Sequence, residues 1–133
     1  MRPTLKLLFL CSRNQRRSVT AESLFRGATE YEVESAGTEP GATVRVKQAH
    51  IEWADMIFAM EPKHLQFVQN HFAKFLAGKR LICLEIPDKY GGMSLELVEL
   101  LRKRLRLYLQ LPSPKPETRS ATANPAAPSS GAG

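Results

Sequence analysis

A chain of 133 residues, with 19 Lys+Arg against 13 Asp+Glu, a net charge of +6 and 43% hydrophobic residues, accommodates one ordinary domain and little more. No apolar run approaches the ~20 residues of a membrane span, and the run 7–10 is too short for a secretory leader and is followed at once by Arg13, Arg16 and Arg17. These features exclude a helical membrane protein and argue against secretion. With only Cys11 and Cys83 a disulfide scaffold is excluded as well, and reduced thiols in the cytoplasm are expected.

The first element is a strand over 5–10, a nearly continuous apolar run that suits burial on both faces. A helix over 18–26 follows, with Ala21, Leu24 and Phe25 on one side, Ser18 as N-cap and Gly27 as its stop. A short strand over 31–35 leads into a loop containing Gly37, Pro40 and Gly41. A helix is then expected over 44–54, with Val46, Ala49 or His50, and Trp53 at helical spacing. A third strand over 55–60 precedes Pro62, placed where first-turn prolines are favoured, and a helix to about Phe72. A fourth strand over 80–84 and a helix capped by Ser94 and running to about Gln110 complete the order βαβαβαβα.

The remaining residues, 111–133, hold Leu111 as their only large apolar side chain, and 18 of the 23 are Pro, Ser, Ala, Thr or Gly. Such a segment buries too little apolar surface to offset the entropy of ordering, so the expectation is a domain of 1–110 and a disordered tail. Lys115, Arg119 and Glu117 give that tail +1 of the net +6, which leaves +5 on the domain.

Alternating strands and helices imply a parallel sheet covered by helices on both faces, a three-layer αβα sandwich. Ligands of such sheets bind at the carboxyl ends of the strands, which directs attention to the loops 11–17, 35–41, 60–62 and 85–93.

The first of these loops reads Cys11-Ser12-Arg13-Asn14-Gln15-Arg16-Arg17-Ser18. A cysteine followed six positions later by an arginine leaves five residues for a tight turn whose N–H groups point inward at one oxyanion. Cys11 would lie at the base, where those N–H groups, the following helix and Arg17 are surroundings of the kind that favour a thiolate. Arg17 is suited to bidentate contact with phosphoryl oxygens, and Asn14 to a left-handed turn. A thiolate so placed is a nucleophile for phosphorus. The bland alternative is a buried strand-end thiol beside a solvated basic loop.

The motif Phe9-Leu10-Cys11 with Asn14, Arg17 and Ser18, then Ala21-Glu22 and Phe25-Arg26, resembles the opening of the low-molecular-weight protein tyrosine phosphatases. The resemblance continues in Ser35-Ala36-Gly37-Thr38, in the run 54–61 and in Ile86-Pro87-Asp88-Lys89-Tyr90, four pieces in the right order across most of 5–110. It implies a phosphatase-I-like fold with a four-stranded parallel sheet. It further implies a cysteine-dependent protein-tyrosine phosphatase with Cys11 as nucleophile, Arg17 as phosphoryl ligand and Asp88 as general acid. Asn14 and Ser18, with Ser35 behind them, would order the loop, while Ser12, Arg13, Gln15 and Arg16 would complete the phosphate site. Tyr90 is either a wall of the aryl pocket or a packing residue. The substrate implied is a phosphotyrosine protein or a small aryl phosphate, with no cofactor and no metal.

The chain departs from the family pattern in three places: the loop after the first strand, the middle of the chain and the acid loop. Arg13 replaces the usual Gly two residues after the nucleophile, and Arg16 replaces a second Cys. The middle of the chain is shorter by about one helix. The acid loop reads Pro-Asp-Lys-Tyr where Asp-Pro-Tyr is common.

Three rivals are weighed against this reading. Arsenate reduction on the same fold needs two further cysteines, and only Cys83, expected as a core strand thiol, is present. A module that binds phosphate or phosphoprotein without turnover would retain the loop, but Asp88 then has no task. Nucleic-acid binding through Arg102, Lys103, Arg104 and Arg106 is disfavoured, because cations close a helix C-terminus without help from a ligand. His50, His64 and His71 show no metal spacing and are expected at the surface or in packing, with Trp53 in the core.

Overall fold

A computed structural model describes residues 4–90 and 94–111. Its strands are β1 (Leu5–Cys11), β2 (Tyr31–Gly37), β3 (Met56–Ala59) and β4 (Arg80–Cys83), and its α-helices are α1 (Arg17–Ser23), α2 (Gln48–Trp53), α3 (Pro62–Phe72) and α4 (Leu95–Leu105). All strand pairs are parallel, in the order β2-β1-β3-β4. The expected four-stranded parallel sheet is therefore present.

The period of two along β1 separates two cores. Leu7, Phe9 and Cys11 face one side and pack with Ala21 and Phe25 near α1 and with Leu97, Leu101 and Leu105 of α4. Leu8 and Leu10 face the other side, with Ile51 of α2 and Val68 of α3. Helices thus cover both faces, which explains why β1 is apolar at nearly every position. Parity also sets the place of Cys11: two residues beyond Phe9, it falls on the α1/α4 side at the carboxyl end of a central strand. The chain moves from β1 to β2 on one side and returns to β3 on the other, so the loop after β1 opens at the point where the winding of the sheet reverses.

Several element bounds differ from the sequence reading. The first helix spans Arg17–Ser23 and not 18–26; the N–H groups of Leu24, Phe25 and Arg26 donate in looser turns to the carbonyls of Ala21, Glu22 and Ser23, and Gly27 ends them with φ 85°. Ser18 is not its N-cap, because it already lies inside the helix with its hydroxyl engaged elsewhere. The second helix is cut to Gln48–Trp53, since Arg45 instead bridges to Gly37 in sheet fashion. Its buried residue is Ile51, while Trp53 is half-buried against the second core. Asp55 is outside β3 and uses its carboxylate to accept the Lys6 N–H at 2.9 Å. Cys83 is half-buried and not a full core thiol. The helix α3 has the bounds expected of it, and Ser94 caps α4 by accepting the Leu97 N–H at 3.2 Å. Leu109 and Leu111 still pack against the first core; the expected tail lies, from residue 112 on, outside the described residues. No helix among the described residues is long and apolar enough to cross a membrane.

Candidate active site

Cys11 ends β1 and the chain turns back over it. Asn14 takes the left-handed conformation expected of it, φ 57°, which swings its backbone N–H onto the Cys11 sulfur at 3.1 Å. The Asn14 side chain then fixes a chain of hydrogen bonds beneath the loop. Its amide donates to Ser18 Oγ at 3.0 Å and to Ser35 Oγ at 2.9 Å. The Ser35 hydroxyl in turn donates to a Glu22 carboxylate oxygen at 2.7 Å. Since Ser18 Oγ accepts from Asn14, its own proton is free to point at the Cys11 sulfur, 3.0 Å away. Two donors therefore converge on one sulfur.

The loop backbone is held from outside as well. Thr38 N–H donates to Cys11 O at 3.0 Å, Glu39 N–H to Ser12 O at 2.9 Å and Thr43 N–H to Arg13 O at 3.0 Å. Gly37 permits this close approach: a Cβ there would lie 2.6 Å from Ser12 O and 2.9 Å from Asn14 N. The loop 35–41 is thus the brace of the loop 11–17.

Arg17 begins α1, and its side chain is 3% exposed. One guanidinium nitrogen donates to a Glu61 carboxylate oxygen and to Ile86 O, the latter at 2.8 Å. The other lies 3.9 Å from an Asp88 carboxylate oxygen. Arg17 thereby ties the ends of β1, β3 and β4 together. Asp88 itself is mostly exposed, at the mouth.

His64 is fully buried beside this cluster. Its Nδ1 accepts the Glu61 N–H at 3.0 Å, which leaves the ring proton on Nε2 to donate to Ser12 Oγ, also 3.0 Å away. Burial, with the Arg17 guanidinium adding to it, lowers the His64 pKa to about 4. The ring is neutral at ordinary pH and serves as a fixed strut between α3 and the loop.

Cys11, Ser12, Arg13, Gln15, Arg16, Arg17 and Asp88 line a cavity of about 60 Å³. This is room for one tetrahedral oxyanion with its leaving group outside. Of the residues singled out in the sequence, Asn14 and Ser18 lie beneath this cavity and not on its wall. Tyr90 is elsewhere: it packs against the first core and lines a separate groove with Glu96, Glu99 and Lys103. The acid-loop residues 91–93 lie outside the described residues. Glu22 and Glu61 entered the sequence reading only as parts of resembling runs and His64 only as a surface or packing residue, so none of the three was assigned to the site. Glu61 carried a usable signal, being the second residue beyond β3 at the carboxyl edge of the sheet. No cluster of three metal-ligating side chains occurs among the described residues.

No protein-family model matches this chain, and no curated protein matches it. Solved structures do. The low-molecular-weight protein tyrosine phosphatase SP-PTP from Streptococcus pyogenes superposes with a TM-score of 0.66 at 15% identity, covering 80% of this chain and 95% of that one. The tyrosine phosphatase Wzb from Escherichia coli K30, in complex with phosphate, gives 0.65 at 19% identity, covering 80% and 96%. The YwlE arginine phosphatase from Geobacillus stearothermophilus gives 0.61 at 22% identity, covering 77% and 92%. The chain has the fold of the low-molecular-weight protein tyrosine phosphatases, as the resemblance of its motifs implied.

Proposed function

We propose that this protein is a cysteine-dependent phosphomonoester hydrolase acting on phosphotyrosine, through a phosphocysteine intermediate on Cys11. The observation that carries the reading is the convergence of the Asn14 N–H and the Ser18 hydroxyl on a sulfur at the floor of an oxyanion-sized cavity with Asp88 at its mouth. A buried strand-end thiol needs neither the donors nor the acid.

In this mechanism the Cys11 thiolate attacks phosphorus in line with the ester oxygen. An S–P bond forms as the P–O bond to the aryl group breaks, and Asp88 gives its proton to the departing phenolate oxygen. Asp88, now ionised, takes a proton from a water that attacks the phosphocysteine, releasing inorganic phosphate and regenerating the thiolate. The negative charge on the equatorial oxygens meets Arg17 and the N–H groups of the loop, which are already in position and require no reorganisation. Glu61 and Ile86 O hold the guanidinium so that its remaining donors face the cavity. His64, through Ser12, keeps the loop from collapsing inward. The fold supports the reading, since the similar chains named above are described as tyrosine and arginine phosphatases. Two free cysteines fit a cytoplasmic setting.

Purified protein is expected to hydrolyse p-nitrophenyl phosphate at mildly acidic pH without added metal and to be inhibited by vanadate. Cys11→Ser should abolish turnover. Asp88→Asn should cost about 10²-fold in kcat on a phosphotyrosine peptide and less on p-nitrophenyl phosphate, whose leaving group departs readily without a proton. Equal activity of wild type and Cys11→Ser would overturn the proposal, and an inert wild type that still binds phosphate tightly would mark a binding module.

A further inference from the structure

The mechanism uses one of the three arginines of the loop. Arg13 and Arg16 also line the cavity, and unlike Arg17 both are exposed. Their backbones are anchored: Arg13 O accepts the Thr43 N–H at 3.0 Å, and Arg16 O accepts the Thr20 N–H at 2.8 Å. Their guanidinium groups therefore stand on a fixed rim and not on a wandering loop. Glu39 partly offsets one of them, its carboxylate lying 3.5 Å from Arg13 Nε. Arg16 has no ion pair among the described residues, although its neighbour Arg17 has two.

A transferable phosphoryl group is satisfied by Arg17 and the loop N–H groups, so it makes no demand on this second pair of cations. The cavity holds little beyond the phosphoryl group, and whatever the phosphate is attached to must leave past its exposed lining residues, of which Arg13 and Arg16 are the cations and Gln15 and Asp88 the others. Cations at that place attract an anionic leaving group and repel a cationic one. We infer that Arg13 and Arg16 select phosphomonoesters whose leaving group carries further negative charge, specifically phosphotyrosine flanked by Asp or Glu, and reject those flanked by Lys or Arg. The inference rests on the phosphatase reading above and names the substrate class of the same site. It also sets an N-phosphorylated arginine, whose leaving group is itself a guanidine, among the disfavoured substrates.

The test compares kcat/KM of the wild type for two phosphotyrosine heptapeptides of equal length, one with Asp on both sides of the phosphotyrosine and one with Lys, at 20 mM and 500 mM NaCl. p-Nitrophenyl phosphate runs beside them as the reference. At low salt the Asp peptide is expected to be preferred by about tenfold or more, and at high salt by about threefold or less, because exposed charges are screened within a few ångströms at such ionic strength. Replacing both cations, Arg13→Gln with Arg16→Gln, should reduce the low-salt preference to less than twofold. Arg16→Gln alone should account for the larger part, since Arg13 is already shared with Glu39. Both positions are exposed, so these variants leave the cores intact, and the salt series on the wild type needs no variant at all. A wild type that turns over p-nitrophenyl phosphate but treats the two peptides alike, or a preference that survives the double substitution, overturns the inference and leaves the phosphatase reading standing. Failure to hydrolyse any of the three substrates overturns both.

Discussion

His64 shows how much of this site depends on residues that never touch the reacting atoms. Its neutral ring accepts from the Glu61 backbone on one side and donates to Ser12 on the other, so a second proton would break one of its two hydrogen bonds in a fully buried position. The linkage has a definite sign. The folded-state pKa of about 4 lies below the ordinary 6.5, so between these values the unfolded chain binds a proton that the folded chain refuses. Stability from this residue is whole above pH 6.5 and is lost as the pH falls toward 4, amounting to about 2 kcal/mol at pH 5. Urea unfolding at pH 7.5 and pH 5 should show this loss in the wild type, and His64→Gln should be flatter across the same interval by about that amount. Parallel pH dependences would show that His64 is not held neutral. The other supporting residues follow the same logic of single assignments: Asn14 supplies both the left-handed turn and the amide that orients Ser18, and Gly37 supplies space that any side chain would fill.

At the scale of elements, the residues with chemistry of their own were the easiest to read. Cys11 and Arg17 were legible because the loop spacing and the strand before it constrain what they can do, whereas Asp88 lies in a stretch that reads as a turn and stood out only through its resemblance to the family's acid loop; the structure brings all three to one cavity. The supporting side chains were less legible, because a hydroxyl or carboxylate acts here through a partner distant in sequence: Arg17 meets Glu61 across 44 positions and Ile86 across 69. The N-cap reading of Ser18 failed for a related reason, although the loop-ordering place that the resemblance implied for it agrees with its contacts. Its type and position fit an N-cap, but the tertiary demand of the sulfur for a donor prevails over a local cap. Helix lengths erred toward too long, since the apolar spacing continues through Leu24 and Phe25 although the backbone has already loosened into turns. Ser94 is the contrary case, in which the local signal is the whole explanation. It accepts from Leu97 N–H, and α4 then buries Leu97, Leu101 and Leu105 against the sheet. Ser94→Ala should cost about 1 kcal/mol, read as a lower urea midpoint with an unchanged m-value. A shift within error would mean that the helix start is held by its packing alone.

Over the whole molecule, the two cores on either side of β1 account for both stability and aim. A strand with both faces occupied is rigid at its carboxyl end, and Cys11, the proposed nucleophile, sits there; the loops after β2, β3 and β4 then close around it, bracing its loop, clamping Arg17 and carrying Asp88. Every one of these contributions comes from residues 11–88, and the last helix adds the packing of α4 on the first core. The described chain ends in the same layer: Tyr31 Oη donates to Gln110 O at 2.9 Å, and Leu109 and Leu111 pack against the first core. Among the described residues, the side chains that build both cores and line the cavity all lie at or before Leu111. A chain cut after Leu111 should therefore keep its p-nitrophenyl phosphate kcat/KM within about twofold and its Tm within a few degrees, since a shift of that size corresponds to no more than about 1 kcal/mol for a domain of this length. A larger fall in Tm would mean that residues beyond 111 contribute packing to the cores. A fall in kcat/KM at constant Tm would instead assign them to the rim of the cavity, beside Arg13 and Arg16.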